Sequence, residues 1–160
     1  MVNKSYWNFE DFNGTRLIKS WKTFKIKRAR GKKYPVGDFS SITSAHLLVN
    51  SKIKDIFENI FKDKVELLPV EYDEPYYLMN VINMIDALDM EKSEFGRFSS
   101  GRIMFCTKYV FKEEVIGNNI IFKIPQFPTA DVLVTEEFVK LVEDNDVKGF
   151  IFEELWDSEK

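Results

Sequence analysis

Residues 47–70 read LLVNSKIKDIFENIFKDKVELLPV, and the spacing of their apolar residues changes twice. In the middle, Ile53, Ile56, Phe57, Ile60 and Phe61 recur at i, i+3, i+4, i+7 and i+8, one stripe of a helix over Ser51–Lys62. Asn50 or Ser51 stands where a side-chain oxygen accepts a bond from a free first-turn N–H and caps the helix. The short apolar run Leu47-Leu48-Val49 before it and Val65–Val70 after it predict strands. Pro69 cannot donate to a ladder, so the second strand belongs at an edge or ends there. Beyond a turn at Asp73-Glu74-Pro75, Tyr76–Ile82 is almost wholly apolar. That predicts a strand covered on both faces, in the middle of a sheet.

Working outward, a similar unit closes the chain. Val132-Leu133-Val134 predicts a short strand, Thr135 an N-cap with Glu136 and Glu137 behind it, and Phe138, Leu141 and Val142 a helical stripe. Gly149–Leu155 then predicts a returning strand with Phe150 and Phe152 on one face. The two units align at an offset of 85 residues, Leu48-Val49-Asn50 on Leu133-Val134-Thr135. Between them, Ile103–Phe111 and Ile120–Ile124 predict strands separated by a turn at Gly117-Asn118-Asn119. Near the start, Asn13-Gly14 is a hairpin signal with Trp7 and Phe9 before it. Thr23–Arg28 alternates Phe24 and Ile26 with Lys25 and Lys27, a half-buried strand with a basic outer side. The expected fold is α+β: a mixed sheet, two main amphipathic helices and two similar strand–helix–strand units.

A chain of 160 residues suits one domain over residues 1–160, and buries about 68–70% of its unfolded surface without needing a disulfide or metal. Fifteen phenylalanines predict an aromatic-rich core. Cys106 is the one cysteine, which excludes an intrachain disulfide and fits a reducing compartment. No run of about 18 apolar residues spans a membrane, and the first residues lack the apolar stretch of a signal peptide, so the expected location is cytoplasmic. The net charge of −3 hides a division. Residues 1–37 carry ten Lys/Arg against Glu10 and Asp11, while residues 38–160 carry thirteen basic and twenty-four acidic groups. Such asymmetry points either to charged partners or to a basic segment lying on the molecule's own acidic body.

The residues that could carry chemistry are few. His46 is the one histidine, beside an apolar strand, and lacks an evident group to orient it as a base. Cys106 sits next to Phe105 within a strand pattern, where a cysteine serves as a small apolar residue rather than a thiolate nucleophile. One His and one Cys leave zinc only carboxylates, and Asp86, Asp89 and Glu91 lack the spacing and glycine of a calcium loop. Phe98-Ser99-Ser100-Gly101-Arg102 lacks the Gly-Lys-Ser/Thr ending of a phosphate cradle and reads as a mobile loop. The acid pairs Asp86/Asp89, Glu113-Glu114 and Glu153-Glu154 could serve a glycosidase only if the fold brought a pair together; solvated acids are the default. The expectation is therefore no enzyme, no cofactor and no metal. A second reading is a nucleic-acid-binding module, in which Lys22, Lys25, Lys27, Arg28, Arg30, Lys32 and Lys33 hold phosphates while Trp21, Phe24 and Tyr34 stack on bases. The acidic remainder would repel that backbone, which makes nucleic acid the weaker partner.

Tyr76-Tyr77-Leu78-Met79-Asn80-Val81-Ile82-Asn83-Met84-Ile85-Asp86-Ala87-Leu88-Asp89-Met90-Glu91-Lys92-Ser93 is the most distinctive stretch. It resembles the central motif of a bacterial immunity-protein family found in polymorphic-toxin loci, the eleventh numbered immunity family, formerly a domain of unknown function. Leu48-Val49-Asn50-Ser51-Lys52 through Leu67-Leu68-Pro69-Val70, and Leu133-Val134-Thr135-Glu136-Glu137-Phe138, resemble its first and last strand–helix–strand units. The resemblance covers about residues 38–155, a family-like core; the basic strands and loop of residues 1–37 do not align, and Asn50 stands where a hydroxyl residue is expected. The resemblance implies a protein that binds a cognate toxin and blocks it. On that reading Asp86, Asp89, Glu91 and Glu94 are the expected partner-binding residues, facing a basic toxin surface.

Overall fold

The computed structural model describes residues 8–27, 37–43 and 46–159. Its centre is a four-stranded antiparallel sheet: β1 (Phe39–Thr43), β2 (His46–Asn50), β3 (Val65–Val70) and β4 (Tyr76–Val81), in the order β1-β2-β4-β3. β4 is internal and β3 lies at an edge, as the apolar run and Pro69 predict; Pro69 pairs with Tyr77. The pleat sorts side chains to opposite faces. Val49, Val65, Met79 and Val81 point to one face and Leu48, Leu68, Val70, Tyr76 and Leu78 to the other, and each set enters its own core.

Helix α1 (Ser51–Phe61) covers the first face with Ile53, Phe57 and Phe61. Asn50 caps it by accepting from the Ile53 N–H at 3.2 Å. Helix α3 (Glu136–Asp144) joins the same core through Phe138 and Val142, its Phe138 ring 6.1 Å from Phe57 and 6.3 Å from Phe61. With Phe39 they make this core rich in aromatic rings. Thr135 stands at the N-cap of α3 by its backbone, but its side chain makes no capping bond.

The second face is covered by the N-terminal segment. Phe12 is buried in that core, with Leu17, Trp21, Phe24 and Ile26 packed against it. The alternation over Thr23–Lys27 holds: Phe24 and Ile26 are half-buried, Lys25 and Lys27 exposed. Among the described residues its one pairing is a parallel bridge, Lys25 to Glu71, so it is not a full strand. Phe9–Asp11 is a short 3-10 helix rather than one arm of a hairpin at Asn13-Gly14, closed by the Asn8 N–H donating to Asp11 Oδ2 at 2.7 Å. Arg28 and the basic loop after it, and Trp7, lie outside the described residues.

The segment is fastened by buried polar groups. Glu66 Oε2 accepts from the Leu17 N–H at 2.7 Å, the Ile18 N–H at 3.3 Å and Asn80 Nδ2 at 3.0 Å. Asn80 Nδ2 also donates to the Thr15 carbonyl at 2.9 Å, Lys123 Nζ to the Phe12 carbonyl at 2.8 Å, and Trp21 Nε1 to the Pro69 carbonyl at 2.8 Å. The basic N-terminal region thus lies on the acidic body, at least over residues 8–27.

The remaining elements are β5 (Glu94–Arg97) with β6 (Ile103–Lys108), a four-residue helix α2 (Glu113–Ile116), and β7 (Ile121–Phe122) with β8 (Leu133–Val134). Gly117 and Asn118 do form a turn, but it follows α2 and does not join paired strands. The class is α+β, as expected. Every ladder between named strands is antiparallel, and among the described residues parallel pairing enters only at two single bridges, Lys25 to Glu71 and Met84 to Lys123. The returning strand expected over Gly149–Leu155 does not form. Phe150 instead stacks on Phe152 at 5.1 Å and lies 3.6 Å from the Phe39 ring. The second unit therefore matches the first as far as its helix.

Candidate partner-binding surface

Leu88, Phe122 and Ile124 form a third, smaller core, with Phe95, Tyr109 and Phe111 packed against it. From this base the β5–β6 hairpin projects as an arm. Its two strands pair only with each other, which leaves the outer edge of each unpaired among the described residues. The register skips Thr107 and Met104 on β6, and such bulges bend and twist a ribbon. The expected mobile loop is a defined turn: the Phe98 N–H donates to the Arg102 carbonyl and the Gly101 N–H to the Phe98 carbonyl, both at 2.9 Å. Gly101 takes φ +83°, a conformation that costs a residue without Cβ little.

Of the acidic residues singled out from the sequence, Asp89, Glu91 and Glu94 stand at the root of this arm. Asp89 Oδ1 accepts from the Glu91 N–H at 3.0 Å and the Lys92 N–H at 3.1 Å. Those backbone bonds, chiefly the one from Lys92, hold its carboxyl below the ordinary carboxylate value. Asp89 therefore shapes the turn that launches the arm. Asp86 is exposed and accepts from Gln126 Nε2 at 2.6 Å; Glu94 is exposed and pairs with Lys108 at 3.7 Å; Glu91 is exposed. A groove of about 630 Å³ opens beside the root, lined by Tyr109, Phe111 and Trp156 together with Lys108, Glu113 and Glu114.

What the sequence left unmarked is the apolar surface of the arm. Phe98 is 41%, Met104 44% and Phe105 50% exposed. The Phe105 ring lies across Gly96, where a Cβ would come within 2.6 Å of it. Arg102 sits 4.9 Å over Phe98, and Arg97 sits 5.9 Å over Phe95 while donating to the Gly101 carbonyl at 2.9 Å. The signal lies in the apolar run Ile103-Met104-Phe105-Cys106, which the sequence reading marks only as strand. Cys106 is in fact only half-buried, and burial raises its thiol above the ordinary value, the reverse of what a nucleophile needs.

His46 is buried at the start of β2, its ring 4.3 Å from Phe9 and 5.0 Å from Phe12. Burial lowers its pKa below the ordinary 6.5; Lys123 lowers it further, and the contact with the Phe9 carbonyl opposes both. The unfolded chain keeps the ordinary value and so binds a proton more readily. Stability is then full above pH 6.5, falls as pH drops through it, and levels off below the folded-state pKa. Urea midpoints at pH 7.5 and 5.5 are expected to show this loss, and His46→Phe to flatten it, since the chain has no other histidine. Trp21 and Phe24 meet edge to face at 5.7 Å and pack on the sheet, so two of the three rings considered for base stacking serve the core; Tyr34 lies outside the described residues. Among the described residues, no three His, Cys, Asp or Glu side chains gather as a metal site. No helix there is long and apolar enough to cross a membrane.

The model of a family described as Immunity protein family (Imm11) matches residues 7–157. The chain belongs to that family. No curated protein matches it. The Imm11 match begins 31 residues before the start of the core outlined by the motifs, at Asp38, and so takes in most of the segment they left unaligned. The packing explains this. In this Imm11 protein residues 8–27 are one wall of the sheet's second core and not an appendage.

Proposed function

We propose that this Imm11 protein neutralises a cognate bacterial toxin by direct protein contact, in the cytoplasm, as one folded unit and without catalysing a reaction. The observation that carries the reading is the family match over residues 7–157. The exposed arm and its charged root support it, because they offer a partner a surface rather than an enclosed site. We assign Asp86 and the root acids Asp89, Glu91 and Glu94 to that contact. In this role they steer a basic toxin surface into register, an effect felt in the association rate and its salt dependence.

The test uses the purified toxin domain encoded by the neighbouring gene. The unaltered protein is expected to bind it and suppress its toxicity; absence of both overturns the reading. Asp86→Lys combined with Glu91→Lys is expected to slow association by about 10-fold at low salt and less at high salt. Asp89→Asn keeps the turn-forming oxygen while removing charge. Unchanged kinetics in both, with the fold intact by circular dichroism, removes the acids from the contact.

A further inference from the structure

We propose that the tip of the β5–β6 arm is the anchor of the toxin contact, with Phe98, Met104 and Phe105 entering an apolar recess of the toxin whose rim carries carboxylates. This deepens the immunity reading and rests on it.

Composition is the first argument. Interface cores are enriched in aromatic residues, Met and Arg and depleted in Lys, Glu and Asp. The tip presents Phe98, Met104 and Phe105 at 41–50% exposure, with Arg97 and Arg102 beside them. Side chains of this kind on a ribbon with two open edges invite aggregation unless a partner covers them.

Preorganisation is the second. Phe105 rests on Gly96, Arg102 holds Phe98, and the turn is closed by two backbone bonds. Little side-chain freedom is left to lose on binding, which favours affinity.

Charge identifies the occupant. Residues 92–108 hold four Lys/Arg and one acid, in a chain of net charge −3. Lys92 pairs with Asp89 and Lys108 with Glu94, both toward the root. The cations at the tip are therefore Arg97 and Arg102, and their complement is a carboxylate rim. The arm thus carries acids at its root and arginines at its tip. A partner with the inverse order of charge fits it in one orientation only.

The test titrates the same toxin domain with tip variants by calorimetry. Phe105→Ala is expected to weaken binding about 30-fold, and the Phe98→Ala/Phe105→Ala pair on the order of 100-fold or more. Gly96→Val, which keeps Phe105 but displaces its ring, is expected to weaken binding as well. Arg102→Glu is expected to cost about 10-fold, and less as salt rises. Val115→Ser on α2, also an exposed apolar site, serves as the control and is expected to bind normally. Urea midpoints of the variants verify that the fold persists. If the unaltered protein binds and Phe98→Ala/Phe105→Ala binds equally well, the arm assignment fails while the immunity reading stands. If the unaltered protein does not bind, the reading fails and the occupant with it. Concentration-dependent dimerisation of the protein alone, abolished by Phe105→Ala, would overturn the proposal in favour of a second copy.

Discussion

A chain shortened to begin at Gly37 is expected to be insoluble or to lack cooperative unfolding. The motif-bearing part starts near there, and its strands and helices would all be retained. What the shortened chain loses is the cover over Leu48, Leu68, Val70, Tyr76 and Leu78. Burying a large apolar side chain contributes about 1.5–3 kcal/mol, so exposing five of them costs on the order of 10 kcal/mol. That equals the whole stability of a typical domain, about 5–15 kcal/mol. The cut also strands buried polar groups: Glu66 loses two backbone N–H donors and Lys123 the Phe12 carbonyl. Sedimentation and far-ultraviolet circular dichroism of the shortened protein check the outcome. A peptide of residues 8–27 added in trans is expected to restore solubility. A soluble, cooperatively unfolding fragment would show that the sheet's second face tolerates water.

The first strand–helix–strand unit was legible because each local signal agreed with its neighbours. The stripe of α1, the oxygen of Asn50, Pro69 at an edge and the two-sided apolar run of β4 all describe positions that sequence spacing alone defines. The closing unit was legible only to the end of α3. Gly149–Leu155 has the pattern of a strand, but Phe150 and Phe152 satisfy their apolar faces against each other and Phe39, with no ladder formed. Pattern reports which side chains seek cover, not whether the backbone finds a pairing edge. The N-terminal segment shows the same limit: Phe24 and Ile26 turn inward as predicted, yet a single bridge is their only pairing.

The candidate surface was harder to read for a related reason. Ile103-Met104-Phe105-Cys106 has the apolar character of core, yet Met104 and Phe105 are exposed on a two-stranded ribbon. Of the acids, Asp86, Glu91 and Glu94 are exposed, while Asp89 is half-buried. Their sequence proximity did not reveal that Asp89 is committed to a turn and Glu94 to Lys108. The structural difference between root and tip is what turns a list of charges into an oriented surface. The rigid base matters to that orientation, since Phe95 and Tyr109 bind the arm to the small core of Leu88, Phe122 and Ile124.

Glu66→Ala is expected to destabilise the protein by about 3 kcal/mol or more, and to do so by unfastening the N-terminal segment. An acid in a strand is expected to face solvent, yet Glu66 is buried, opposite Asn80 on β4. Its Oε2 is the shared acceptor for the Leu17 and Ile18 N–H groups and Asn80 Nδ2, and Arg16 stands 4.0 Å from Oε1. Removing the carboxylate takes the acceptor from the Leu17 and Ile18 N–H groups and leaves Asn80 Nδ2, itself buried, with the Thr15 carbonyl alone; each buried unsatisfied group costs about 1–3 kcal/mol. Glu66→Gln keeps one acceptor oxygen but weakens bonds that a charge had assisted, so a smaller loss is expected. Arg16 adds little to either result, because its side chain is 62% exposed and solvent screens the pair. Two measurements separate the mechanism from general damage. Urea denaturation gives the size of the loss, and amide exchange gives its place: faster exchange at Leu17 and Ile18, with the amides of α1 protected as before, is the expected pattern. Uniform acceleration across α1 and β4 would mean that Glu66 supports the whole sheet rather than the seam between the sheet and its N-terminal cover.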